Sequence, residues 1–373
     1  MAHFIQISDI HIGDLCGGKP SWAPYIPILG GGLGHCDNIC RALMNFITAQ
    51  YEDNLNQGGD GLFPRMILTG DLSACGSLEQ LNKAAGYLDA PTSVSDTAPI
   101  GWGAYGWRQR KVPGNHDNWG GGTLLDRLQR IPEFPGFFDP IPATVSITVP
   151  LDGMDVTVRF IMIDTDADVG AGSNRRATAR GAFASQFGHQ DISWMKKQPP
   201  ERDEVRVLLL HHPPRYTAGI GGISAASAVA CRNFMEKAGI RVVLCGHTHK
   251  PYVGLRRGGS VLESCCGTTT QQSHVSPAGA RFFSQHRTTY TGLRKFFHRR
   301  KWPVDPANDM SMRLCHNALV VHDLFRRQNA VYWRSVTYIL SAGAFVHHKH
   351  MQNEVRASGF SYGPYEERIQ VLP

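Results

Sequence analysis

Five short islands of metal-ligating residue types, each placed directly after a β-forming run, constrain this chain more than any other feature. They are Asp9-Ile10-His11, Gly70-Asp71, Gly114-Asn115-His116-Asp117, His211-His212-Pro213 and Gly246-His247-Thr248-His249. The runs before them are His3 to Ser8, Arg65 to Thr69, the shorter Gln109 to Pro113, Val205 to Leu210 and Arg241 to Cys245. Continuous apolar runs of this kind suit strands covered on both faces. In such sheets ligands bind where loops leave the carboxyl ends of the strands, so five islands far apart in sequence can meet at one edge of a core. Coincidence is a poor account of them. A D-x-H triplet arises by chance about once in two chains of this length, but GNHD only roughly once in a thousand and GHTH about once in fifty.

The ligand types define the chemistry. Asp9, His11, Asp71, Asn115, His211, His247 and His249 supply two carboxylates, one amide oxygen and four imidazoles. A mixed oxygen and nitrogen set suits Mn, Fe, Zn, Ni or Co, and suits neither a thiolate zinc site nor an all-oxygen calcium site. Seven side chains exceed the needs of one first-row ion. With Asp71 shared, they divide into four contacts for each of two ions. Two carboxylates neutralise only part of the charge of two divalent or mixed-valence ions, which favours an anionic substrate and acidifies bound water.

These motifs resemble the signature of the calcineurin-like metallophosphoesterases: D-x-H, G-D, G-N-H-D or E, a lone His, and G-H-x-H. The resemblance spans about residues 1 to 275, with closing strands reaching Leu340. It implies a four-layer α-β-β-α sandwich of two mixed sheets flanked by helices. It assigns Asp9, His11, Asp71 and His249 to one ion, and Asp71, Asn115, His211 and His247 to the other. His116 would stabilise the transition state or protonate the leaving oxygen, with Asp117 orienting it. The fourth island leaves both His211 and His212 eligible; the family's histidine is typically followed by one residue and then proline, which favours His211. The reaction implied is in-line attack on phosphorus by a metal-bridging hydroxide, with a small phosphate ester as substrate. The GNHD and His-His-Pro-Pro elements look like the family's cyclic-nucleotide and glycerophosphodiester branch. No serine or cysteine nucleophile is required.

Composition agrees with an enzyme of this kind. At 42% hydrophobic and 18% charged over 373 residues, the chain can bury a sizeable core. No apolar run approaches the roughly 20 residues of a membrane span. The first strand starts at the amino terminus without a signal-type segment, so a cytoplasmic location is expected. Nine cysteines, several in expected core elements (Cys40, Cys231, Cys245), read as reduced thiols. Helices are expected over Cys36 to Tyr51, Ser77 to Leu88, Leu124 to Gln129, Gln190 to Lys197 and Ala225 to Ala238, the last ended by Gly239. Their alternation with strands is the rhythm of an α/β protein. Hairpins are expected at Thr144 to Ile163, turning at Leu151-Asp152-Gly153, and at Ala318 to Leu340. One domain over residues 1–340, followed by an extension over 341–373, is the expected organisation.

Other segments lie outside the islands. Gly13 to Gly34 is a Gly/Pro-rich loop without the Gly-Lys-Ser/Thr ending of a phosphate cradle. Arg281 to Arg313 is a basic insertion. From Ser276 onward there are 14 Lys and Arg against 6 Asp and Glu, so this part carries +8 of a whole-chain charge of +7. A solvated lid or an oligomer contact is the simpler reading of it, but its interleaved arginines and aromatics make nucleic acid or an anionic membrane surface a candidate partner and a nuclease the alternative activity. A third reading, a non-catalytic scaffold of the same fold, predicts lost ligands, and none is missing. Arg215, two residues after Pro213, and His212 are candidate substrate contacts. Asp164, Asp166 and Asp168 are expected to cap turns, and His347 to His350 to lie in an exposed tail.

Overall fold

Side chains alternate faces along the strands, and that alternation builds three apolar layers around two sheets. The structure is a computed structural model. It describes residues 1–12, 43, 65–73, 76, 78–89, 106–118, 137–138, 141–169, 180–215, 222–248, 251–269, 318–340, 345–347, 353–355 and 360–373. In chain order the strands are β1 (Ala2–Ile7), β2 (Arg65–Thr69), β3 (Lys111–Val112), β4 (Ala143–Leu151), β5 (Met154–Met162), β6 (Glu204–Leu209) and β7 (Val242–Cys245). They continue with β8 (Tyr252–Arg256), β9 (Val261–Cys265), β10 (Ala318–Arg327), β11 (Ala330–Leu340), β12 (Phe345–His347), β13 (Asn353–Val355) and β14 (Phe360–Leu372). The helices are α1 (Leu78–Asp89), the single turn α2 (Gln190–Ser193) and α3 (Ala225–Lys237).

The first sheet runs β14-β11-β10-β1-β2-β3 and the second β4-β5-β6-β7-β9-β8, while β12 and β13 pair separately. Both six-stranded sheets are mixed: β1, β2 and β3 are parallel, as are β5, β6, β7 and β9, and the remaining pairings are antiparallel. Phe4, Ile67, Val207, Leu244, Val320 and Trp333 meet between the sheets. There Phe4 stacks on Trp333 at 5.3 Å and meets Phe160 edge-on at 5.7 Å. On β1 the alternate residues Ile5 and Ile7 face the other way, onto Leu81, Ala84 and Leu88 of α1. On the second sheet Ile161, Leu208, Val243 and Cys245 face Cys231 and Phe234 of α3. The result is the expected α/β sandwich of two mixed sheets with flanking helices.

Local chemistry sets the element ends. Ser224 caps α3 by accepting from Ser227 N at 3.1 Å, and Gly239, at φ 64°, turns the chain out. Asp152 and Gly153, both at positive φ, form the two-residue turn between β4 and β5; Gln328 and Asn329 do the same between β10 and β11. Two expectations were too regular. Gln190 to Lys197 is one α-turn followed by a 3₁₀ turn at Trp194–Lys196, since Pro199 and Pro200 close off any continuation. The run before the third island is a 3₁₀ turn, Trp107–Gln109, and then only the two residues of β3.

A third correction concerns the end of the chain. Residues 360–372, expected in an extension beyond the domain, are β14, which pairs antiparallel with β11 at the edge of the first sheet. Tyr362, Ile369 and Leu372 there meet Tyr338, Trp333 and Val331 in register, so pairing with an open edge decides the matter. The Gly-rich loop over 13–34, the basic insertion over 281–313, the expected helices over 36–51 and 124–129 apart from Leu43, and 348–350 of the histidine run lie outside the described residues. Cys231, Cys245, Cys265 and Cys266 are buried free thiols. Among the described residues no helix is long and apolar enough to cross a membrane.

Candidate metal centre

All five islands leave carboxyl ends of strands, three from the first sheet and two from the second. Backbone bonds continue the ladders beyond the strands: Asp9 N donates to Gly70 O at 2.9 Å, His11 N to Asp71 O at 3.0 Å, and Gly246 N to His211 O at 2.9 Å. The turns are tight. Asp9, His11, Asp71 and His247 take φ of 52°, 51°, 53° and 70°, a left-handed region sparsely used outside glycine and costly unless the surroundings enforce it. Two glycines make the approach feasible. A Cβ on Gly70 would lie 2.4 Å from His211 Nδ1, and one on Gly114 would lie 2.1 Å from Asp71 Oδ1.

Asp71 is the centre of the arrangement. Its Oδ1 accepts from His116 N at 2.8 Å. Its Oδ2 lies 3.3 Å from His211 Nε2 and 3.7 Å from His11 Nε2. One carboxylate oxygen thus faces imidazoles that come from different sheets. Two sets of ligand atoms share this residue, His11 with Asp71 and His116, and Asp9 with Asp71 and His211. On the second side Asn115 Oδ1 is 3.1 Å from His211 Nε2 and 3.0 Å from His247 Nδ1, while the two ring nitrogens are 3.3 Å apart.

The histidine orientation follows from one carbonyl. His211 Nδ1 donates to Thr69 O at 2.7 Å, since a carbonyl can only accept. That leaves Nε2 as the nitrogen facing Asn115 and Asp71, the one that would give its electron pair to a metal once its proton is displaced. The electrostatics also call for a cation. Burial alone would raise the Asp71 carboxyl, yet His211, His116 and His11 hold it well below the usual range. Burial likewise opposes an imidazolium at His211, but Asp71 and Asp9 outweigh it and push it up to about 10. Buried oxygen and nitrogen donors converging within hydrogen-bond distance are the surroundings in which a divalent ion replaces such protons, and the residues present fit two such ions.

Several assignments take different forms here. The sequence reading has Asp117 orienting the His116 ring. Its carboxylate instead accepts from Gly114 N (3.0 Å), Leu72 N (3.2 Å), Ser73 N (2.8 Å) and Ser73 Oγ (2.8 Å). Asp117 therefore ties the loops after β2 and β3 together. Burial and the charge of Asp71 push Asp117 up to about 6 against those hydrogen bonds. Arg215, expected as a candidate phosphate contact, pairs through its guanidinium with Glu263 at 2.5 Å and lies 4.1 Å over the Tyr252 ring. His212 is held through Nδ1 by Thr165 Oγ1 at 2.7 Å, with its ring 4.0 Å from that of His247. His116 meets the His11 ring edge-on at 4.5 Å and is 7% exposed, against 1% or less for Asp9, His11, Asp71 and His211. His249 lies outside the described residues.

Supporting residues escaped the sequence reading. Ser8 Oγ donates to Asp9 Oδ2 at 2.5 Å, and Thr268 Oγ1 to Asp9 O at 2.8 Å. Asn118 Nδ2 donates to Gly114 O at 3.1 Å and Asp166 Oδ2 at 3.2 Å, tying the third island to the loop after β5. Asp164 and Asp168 accept from Asp166 N and Ser185 N, the turn-capping work expected of them. The available signal was a hydroxyl or amide residue beside an island, Ser8 before the first and Asn118 after the third, too common a feature to single out; Thr268 has no such signal.

A sandwich of two mixed sheets with carboxylates and imidazoles gathered where their strand ends meet defines a metal-dependent phosphoesterase. The family model for calcineurin-like phosphoesterases matches residues 2–251, and the chain belongs to that family. It is a hydrolase acting on phosphoric ester bonds. Among solved structures it is similar to GAP50 of Plasmodium, the anchor in the inner membrane complex, at 14% identity over 100% of this chain and 89% of that one, with a TM-score of 0.48. It is also similar to a dimetal phosphatase from Danio rerio at 9% identity over 100% of this chain and 98% of that one, with a TM-score of 0.42. No curated protein matches it.

Proposed function

We propose that this chain hydrolyses a small phosphodiester or a nucleotide with a two-ion centre, in the manner of the family's cyclic-nucleotide and glycerophosphodiester branch. The observation that carries the reading is Asp71 Oδ2, which faces His11 Nε2 on one side and His211 Nε2 on the other. Asp9, His11, Asp71 and His249 would hold one ion, and Asp71, Asn115, His211 and His247 the second. When bound, such ions polarise phosphoryl oxygens and make water a competent nucleophile at neutral pH.

The chain's own residues do the rest. Thr69 O keeps His211 in one tautomer, and Ser8 Oγ with His247 N fixes Asp9 Oδ2. His116 is the residue to hand a proton to the departing alcohol oxygen, a role typically worth about two to four orders of magnitude. Asp117 keeps the loop of His116 against Leu72 and Ser73. His212 borders the site from the His247 side as a candidate substrate contact.

The test is turnover of the Mn-loaded full-length chain on cyclic nucleotides, bis-p-nitrophenyl phosphate and single-stranded DNA. Cleavage of the small diesters with DNA intact supports the reading. Comparable DNA cleavage replaces it with the nuclease alternative, and no turnover on any substrate leaves a binding scaffold.

A further inference from the structure

Polar side chains on inward positions of central strands are costly unless every bond is made. Gln6 sits on β1 between Phe4 and the first island, facing the inter-sheet core, and is fully buried. Its amide nitrogen donates to Cys245 O at 2.8 Å and Thr69 Oγ1 at 3.1 Å. Its Oε1 accepts from Ser264 Oγ at 3.0 Å and lies 3.1 Å from His322 Nε2. The Cys245 carbonyl fixes which end of the amide is nitrogen, so Oε1 is an acceptor and His322 Nε2 carries the hydrogen. His322 Nδ1 must then accept from Ser335 Oγ at 2.7 Å, and Ser335 Oγ in turn accepts from Trp333 Nε1 at 3.1 Å. One direction of donation satisfies every contact. Burial keeps His322 neutral, pushed down to about 3, as this chain requires.

The places this chain touches are informative. Thr69 immediately precedes Gly70-Asp71 and gives its carbonyl to His211; Cys245 immediately precedes Gly246-His247. Gln6 therefore bonds β2 of one sheet and β7 and β9 of the other, one residue short of both islands. We propose that Gln6, anchored by His322, is a positioning residue of the metal centre: it sets the two sheets at the separation that brings Asp71 and His247 to the same pair of ions. The inference rests on the two-ion reading above.

Calorimetric titration of the metal-free full-length chain with Mn(II), alongside thermal unfolding, tests it. Gln6→Leu should unfold cooperatively yet bind Mn(II) at least about tenfold more weakly, the effect of losing groups that orient ligands. His322→Leu should do likewise, and His322→Gln, which keeps an N–H toward Gln6, should recover most of the affinity. Gln6→Leu combined with His322→Leu should bind no more weakly than Gln6→Leu alone, because the two act in one chain. A folded Gln6→Leu variant with wild-type affinity and stoichiometry, even at reduced Tm, overturns the proposal and reduces Gln6 to packing. If Gln6→Leu does not fold, equal affinities of His322→Leu and His322→Gln overturn it. The wild-type stoichiometry separates the two levels: a wild-type chain that binds fewer than two Mn(II) sinks the two-ion reading, whereas two ions in the wild type with unchanged affinity in Gln6→Leu sinks only the role of Gln6.

Discussion

The two sheets bring different chemistry to their shared edge. From β1, β2 and β3 come both carboxylates of the candidate centre, Asp9 and Asp71, the Asn115 amide, and His11 and His116; from β6 and β7, among the described residues, come only the imidazoles of His211, His212 and His247. The anionic side supplies charge to offset cations, and the imidazole side supplies neutral donors whose use depends on which nitrogen holds the hydrogen. Each side is oriented by the other. Thr69 of the first sheet fixes His211, and His247 N of the second reaches Asp9 Oδ2 at 3.0 Å. A half-site from either sheet would have the wrong charge or the wrong tautomer.

The division of labour can be broken at graded points. Asp71→Ala removes the shared carboxylate, and phosphodiester hydrolysis should fall to the uncatalysed level with metal stoichiometry lost by elemental analysis; retained turnover in the purified variant rules out bridging. Next in size, His116→Ala should keep its metals and lose about 10²- to 10⁴-fold in kcat. The loss should shrink for p-nitrophenyl esters, whose leaving group needs no proton; an equal loss on alkyl esters argues against proton transfer. Gly114→Ala drives a Cβ to 2.1 Å from Asp71 Oδ1, so Mn(II) affinity should weaken about 10- to 100-fold, measured by calorimetry.

Stability against pH probes the seam between the sheets. His322 is depressed from an ordinary 6.5 to about 3, so the unfolded chain binds the extra proton first. Its contribution is complete above about 6.5 and is lost as pH falls toward 3, at up to about 1.4 kcal/mol per pH unit. Denaturant titrations from pH 7 to 4.5 should show a steeper decline for the wild type than for His322→Gln, and parallel curves would contradict a neutral buried imidazole. The smallest effect on turnover is expected at Arg215. Arg215→Ala should change kcat/KM by less than about threefold while costing about 3 kcal/mol of stability, since buried Glu263 loses its ion-pair partner and keeps only the charge of Arg256. A large rise in KM would restore the substrate contact.

The islands, both hairpins and α3 with its Gly239 stop were legible because each is written in a short local pattern: ligand spacing, period-two alternation, or a cap. Less regular stretches were read too smoothly, as at Gln190 to Lys197, where two prolines outweigh helical propensity. Pairings were another matter. Arg215 was visible as a cation beside the fourth island, but Glu263 lies 48 residues away and nothing local links them. Asp117 could be placed in the motif, whereas its four donors come from a turn about 45 residues earlier as well as from its own.

The sequence by itself therefore determined the family, the candidate ligand types and the strand ends that carry them, because those reside in residue identity and near-neighbour spacing. Only the tertiary structure decided that β14 closes the first sheet, that Asp71 Oδ2 stands between imidazoles of both sheets, and that Gln6 joins β2 to β7 beneath them. Alternation along a strand says which side chains point inward. What they meet there depends on the order and separation of strands in two sheets, which no local pattern encodes.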